Sequence, residues 1–295
     1  MDNLIEHLLA RDLKEAAKDL SLQEIRYLVD TYYLMQDQRK RSGNQVRDLT
    51  KAGEPCQFIQ WTQGQFLELE KSVGKVLDYW TRDKELGIWA RSIVGIGPVI
   101  TAGLMSHINL THWSCIHAKV GEIKKACTSD NPCGPECHPI VVNTVGHIWR
   151  FAGLDPTQEW KAKEKRPWNA ELKTLCWKIG ESFVKVSGNP ASLYGRLYME
   201  RKVMETARNE QMLFRDQAVA KLKKFNIGKG TEAYKWYSIG KLPPGHLHAR
   251  AKRYAVKLFL AHYHEKAFEI QFGEKPPLPY PIAILGHADY IAAER

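Results

Sequence analysis

Two stretches near the amino terminus carry apolar side chains at alternating spacings of three and four: Ile25, Leu28, Tyr32 and Met35, then Phe66, Leu69, Val73, Val76 and Trp80. That period lines one face of an α-helix and no face of a strand, whose side chains alternate from residue to residue. Ser21 with Glu24 forms a capping box that opens the first helix, which runs to about Lys51 before Ala52-Gly53-Glu54-Pro55 breaks it. Two stripes joined by a short polar connection predict an antiparallel helical hairpin of coiled-coil character, available for self-association, over residues 1–90. No sheet for a catalytic constellation is expected there.

Composition bounds the partners. With 44% hydrophobic and 26% charged residues in 295, the chain reads as folded and globular. It has no uncharged apolar run of about 18 residues, and Asp2 and Glu6 stand near its start, so neither a membrane span nor a secretory signal is expected and the expected location is cytoplasmic. The net charge of +10 is unevenly placed: residues 1–140 sum to −1 and residues 141–295 to +11. A cationic half of this kind suits a polyanion, because each Lys or Arg on a phosphate releases a condensed counterion; an ordinary basic enzyme surface is the alternative.

The region 91–272 reads as a second helical domain, followed by an extended, proline-rich tail over 273–295. Gly95-Ile96-Gly97 precedes Pro98 at a first helical position, the pattern of a helix-hairpin-helix. Glycines there bring backbone N–H groups and a helix N-terminus close to a phosphate; a tight turn that serves packing alone has the same appearance. Residues 109–141 interrupt this domain with Cys115, Cys127, Cys133, Cys137 and His138, a set that predicts a structural zinc; reduced, unliganded cysteines are the alternative, since the spacing is not that of paired knuckles. Cys56 and Cys176 are isolated and expected to be packed.

Further on, Trp160-Lys161-Ala-Lys163-Glu-Lys165-Arg166-Pro-Trp168 interleaves cations with indoles, as a polynucleotide site requires, or else it is a solvated loop over buried tryptophans. A helix then runs from about Trp168 to Val186, and a long polar helix from Ser192 to about Phe225. Lys221 to Lys257 holds ten basic residues and one acidic. In the last helix Leu247, Ala251, Tyr254, Leu258 and His262 share a face, with Arg250, Arg253 and Lys257 on an adjoining stripe. His246 and His248 point to different sides of that helix, which disfavours metal binding there.

Several blocks together resemble the C-terminal domain of the bridge-RNA-guided DEDD transposases: Val94-Gly-Ile-Gly-Pro-Val-Ile-Thr-Ala-Gly-Leu-Met, Trp149-Arg-Phe-Ala-Gly-Leu-Asp-Pro, the lysine-rich loop, a helix bearing Lys173, and Gly188-Asn-Pro190 before Tyr194 and Arg196. Residues 90–265 are covered, the cysteine-rich insert excepted. More distantly, a helical hairpin leading into Ile93-Val-Gly-Ile-Gly-Pro is similar to the Nop domain of box C/D ribonucleoproteins. The resemblance implies an all-α, nucleic-acid-binding domain whose partner is a structured or guide RNA, in the setting of a mobile element. It does not carry catalysis over: the RuvC-like domain with its four carboxylates has no counterpart in the first 90 residues, and where those enzymes carry a nucleophilic serine this chain has only Thr157 between Pro156 and Lys173.

The expected function is therefore RNA binding without cleavage. The residues expected at phosphates are Gly95, Ile96, Gly97, Lys161, Lys163, Lys165, Arg166, Lys173, Lys178, Arg250, Arg253 and Lys257, with Trp160 and Trp168 stacking on bases. A double-stranded DNA binder, an active recombinase or nuclease working with an unrecognised acidic set or a partner subunit, and an interaction scaffold are the rival readings.

Overall fold

The structure, a computed structural model, describes residues 14–114, 127, 134, 137–161, 163–279 and 291–293. Its described residues form an all-α fold with one small two-stranded antiparallel sheet, and they gather into two compact units. The first comprises residues 1–92, 96–148 and 265–295, the second 93–95 and 149–264. Among the described residues no helix is long and apolar enough to cross a membrane.

In the first unit, α1 (Leu22–Ala52) and α2 (Gln57–Arg82) form the antiparallel hairpin. The register follows from their contacts: Gln36 and Arg39 reach Glu70, Tyr32 lies against Gly74, and Gly43 against Gln63. Ser21 accepts from the Glu24 N–H while the Glu24 carboxylate accepts from the Ser21 N–H, closing the capping box; Gly53, in the left-handed region at φ 73°, ends α1. The core holds Ile25, Val29, Val73, Leu77 and Trp80 with Val99 and Ala102 of α4 (Pro98–His107). The seam on α2 keeps the expected Val73 and Trp80 but departs from the expected stripe at two other positions. Leu77 occupies the core in place of Val76, and Glu70 is buried in place of Leu69, which is 46% exposed. Glu70 tolerates burial because Arg39 donates to it at 2.5 Å and Gln36 at 3.1 Å, so its desolvation is matched by charge-assisted hydrogen bonds. Helix α3 (Glu85–Ser92) folds back on the end of α2 through Gly87, where a Cβ would meet the Thr81 carbonyl oxygen at 2.0 Å.

Strands β1 (Thr111–Ser114) and β2 (His138–Val141) bracket the cysteine-rich insert, with Thr111 opposite Val141. Helix α5 (Val145–Phe151) follows.

The second unit contains α6 (Ala170–Lys185), α7 (Leu193–Glu210), α8 (Arg215–Lys224), α9 (Glu232–Ser238) and the greater part of α10 (Pro244–Phe272). Asn169, Ser192 and Thr231 cap α6, α7 and α9 through their side chains. Phe183, Tyr194 and Phe259 pack face and edge with ring centroids 4.9 to 5.5 Å apart, joining α6, α7 and α10. Gly180 lets α10 come close to α6, its would-be Cβ lying 3.4 Å from Val256. The long helix expected from Ser192 to Phe225 is instead two helices. The Leu213 N–H bonds the Arg208 carbonyl and the Met212 N–H that of Asn209, a helix-ending pattern carried by Met212 at φ 61°. Burial of Phe214 among Ala218, Tyr237, Leu242 and Leu247 offsets the strain.

Candidate nucleic-acid interface

The turn after α5 sets up the site. Gly153, at φ 63°, completes a Schellman ending in which its N–H bonds the Arg150 carbonyl at 3.0 Å and the Leu154 N–H that of Trp149 at 2.8 Å. Asp155 then accepts from the Thr157 N–H at 2.9 Å and hydroxyl at 2.7 Å. These two bonds, with the fields of Arg150 and Lys257, hold its carboxyl below the usual carboxylate range. The chain returns to α5 where the Asn169 N–H bonds the Phe151 carbonyl, and this lays Trp168 across Gly153. A Cβ on Gly153 would sit 2.8 Å from Trp168 Cγ and 3.0 Å from Lys173 Cδ, so only glycine admits the ring.

Cations and rings pair off around that turn. Lys173 Nζ lies 3.7 Å from the Trp168 ring centre, and the Arg166 guanidinium 5.6 Å from that of Trp160. The two indoles meet edge to face at 6.4 Å, and Trp160 Nε1 donates to the Glu164 carbonyl at 2.8 Å, which fastens the loop to itself. Lys161, Lys163, Lys165 and Arg166 are exposed. Burial, and then the positive fields of Arg166 and Arg253, hold the Lys173 ammonium below the usual lysine range. Beside it, Arg166, Trp168, Ala170, Lys173, Thr174 and Trp177 line a cleft of about 300 Å³.

On α10, exposed Arg253 belongs to this group through its field on Lys173. Lys257 lies 4.1 Å over the Trp149 ring while Trp149 Nε1 donates to the Lys257 carbonyl at 3.0 Å. Its ammonium is lowered by burial, against the opposing field of Asp155. Arg250 has a different task. Its Nε donates to Glu205, which is fully buried and also takes Arg201, and its guanidinium rests 4.5 Å from the Phe214 ring. Lys178 sits five positions beyond Lys173 on α6, roughly 140° around the helix.

The glycine hairpin is also committed to packing. Ser182 Oγ donates to the Gly95 carbonyl at 2.5 Å, a Cβ on Gly95 (φ 99°) would meet Val186 at 3.1 Å, and Ile96 is buried. Gly97 caps α4 with open space beside its Cα. Of the expected site residues, Trp160, Arg166, Trp168 and Lys173 thus lie together around the turn, and Trp177, which was not among them, lines the cleft beside them. A signal for it exists: Lys173, Trp177 and Glu181 recur every four residues along the polar edge of α6, where a tryptophan is out of place.

The expected structural zinc is corrected. Among the described residues no group of three or more His, Cys, Asp or Glu side chains is placed to hold an ion. Cys137 is buried whereas His138, next to it on an extended segment, is exposed, so the two neighbours face opposite ways. Cys127 is partly exposed, and Cys115 and Cys133 lie outside the described residues. Three of the four α10 histidines take tyrosine hydroxyls instead: Tyr194 pairs with His262 at 2.6 Å, Tyr198 with His248 at 2.7 Å and Tyr237 with His246 at 3.3 Å. No family model, curated protein or solved structure matches the chain.

Proposed function

We propose that the chain binds a structured, guide-type RNA and does not cut it, serving an RNA-guided, DNA-targeting complex related to the transposases its sequence resembles. The observation that carries this reading is the convergence of Trp160, Arg166, Trp168 and Lys173 into ring and cation pairs beside a cleft, with Lys161, Lys163 and Lys165 exposed on the adjoining loop. A ribose-phosphate chain needs both: cations for its phosphates and flat apolar faces for its unpaired bases. The excess of +11 in residues 141–295 supplies the long-range attraction.

Thr157, which falls where the transposases place a nucleophilic serine, donates its hydroxyl to Asp155 and is occupied in the turn, which supports a binding role over strand transfer. On this reading residues 91–272 are of the transposase C-terminal, helix-hairpin-helix kind and more distantly Nop-like. The α1–α2 hairpin, with Tyr27, Leu34, Phe58 and Trp61 exposed, is the proposed self-association face; a monomer by light scattering at high concentration would contradict that part. Purifying the protein from cells carrying its native genomic context and sequencing the RNA that accompanies it tests the function. One enriched, folded RNA species is expected, and protein free of nucleic acid at low ionic strength would refute the proposal.

A further inference from the structure

Trp177 is 60% exposed on a helix whose Leu172, Leu175, Ile179 and Phe183 are all buried. An indole is the largest apolar side chain a fold can hide, and here it forms one wall of the cleft. The other indole of the cleft, Trp168, is already engaged: Lys173 lies over the ring and Gly153 packs against it. Trp160, 41% exposed, is held by its bond to Glu164 and by Arg166. Lys252 approaches Trp177 only to 5.9 Å, its ammonium being tied to Glu181. The cleft therefore offers one open ring face with Lys173 and Arg166 at its edge.

We propose that the cleft between Trp168 and Trp177 takes a single unpaired nucleotide of the bound RNA, its base stacked on Trp177 and its phosphate between Lys173 and Arg166. This rests on the reading of the chain as an RNA binder and specifies which part of the RNA the site holds. Its volume of about 300 Å³ lies at the small end of ligand pockets, enough for one nucleotide. A duplex hides its base faces in its own stack and has none to offer an indole. A phosphate at the cleft edge also relieves the mutual repulsion of Lys173, Arg166 and Arg253.

The test compares wild type, Trp177→Ala and Trp177→Phe as full chains, by fluorescence anisotropy with three labelled probes of equal length: oligouridylate, the same backbone with abasic residues, and duplex RNA. Thermal melting of each variant confirms folding, and Trp177→Phe keeps a ring in place should Trp177→Ala fold poorly. Trp177→Ala is expected to weaken oligouridylate binding by roughly 5- to 150-fold, the range for removal of one base–aromatic stack. Trp177→Phe should restore most of that affinity, and all three proteins should bind the abasic and duplex probes alike. If wild type binds oligouridylate and Trp177→Ala binds it equally well, or is weakened on the abasic probe to the same degree, the stacking assignment is wrong while RNA binding stands. If wild type binds none of the probes, the assignment falls together with the function it rests on.

Discussion

Replacing Arg250 by alanine separates a structural cation from a binding one. Its Nε donates at 2.8 Å to one oxygen of Glu205, whose other oxygen takes Arg201 at 2.6 Å; the carboxylate is wholly buried and both arginines are partly exposed. A hydrogen bond to a charged group contributes about 1.5–3 kcal/mol. The stacking of the guanidinium over Phe214 at 4.5 Å adds about 0.5–1 kcal/mol. Arg201 remains beside Glu205, so the loss stays short of a fully orphaned charge, and Arg250→Ala should destabilise the protein by about 2–4 kcal/mol. Urea denaturation measures this, and a cycle with Glu205→Gln should return a coupling of at least about 1 kcal/mol between the two. The salt dependence of RNA affinity should not change, because this charge is already spent. A stability loss below about 0.5 kcal/mol, accompanied by a shallower salt slope, would show that Arg250 sits on a phosphate and that its pairing with Glu205 is incidental.

Gly153→Ala combines a left-handed backbone with a clash against Trp168, and should cost about 1–2 kcal/mol for the conformation alone while weakening RNA binding as the ring is displaced; unchanged melting and affinity would deny Trp168 its placement. Acid should destabilise the chain in two steps. Burial, then Lys252 and Lys202, depress His248, and burial followed by the fields of Arg253, Lys221 and Arg250 depresses His246. The unfolded chain therefore takes up these protons first, and stability should fall as pH drops below about 6.5 until the folded-state values are passed, a slope that His248→Gln should reduce. Burial alone would raise the Glu205 carboxyl, but Arg250 and Arg201 outweigh it. Its contribution is present above about 4.3, the unfolded value, and should be lost as pH falls through the lower folded one, with Glu205→Gln removing that second step from a melting-temperature profile.

Local signals in the sequence are legible where one residue acts on its own backbone. The Ser21–Glu24 box, Pro98 at a helix start and Gly53 at a helix end stand where their chemistry puts them. Period alone locates the α1–α2 hairpin but cannot show that Arg39 makes burial of Glu70 acceptable, which puts Glu70 in the seam in place of Leu69. The break at residues 211–214 has no glycine or proline to announce it; it depends on Phe214 finding a pocket to which Tyr237, Leu242 and Leu247, more than twenty positions away, contribute. Strands of four residues are too short to show alternation, and β1 and β2 pair across the intervening insert. In the candidate interface, the basic loop is visible as composition. Which cations are spent inside the fold, as Arg250 is, and which indole is left open, as Trp177 is, depend on partners that lie far along the chain.

The most direct measurement is the affinity of the purified protein for a folded RNA as a function of salt, for wild type and for Lys161→Ala/Lys163→Ala/Lys165→Ala. The exposed loop lysines should make wild-type binding strongly salt-dependent. Their removal should flatten the plot of log affinity against log salt by about 0.7–0.9 for each phosphate that is no longer neutralised. Parallel plots for the two proteins, or no binding by wild type even at low salt, would contradict the assignment of the cationic second unit to a polynucleotide.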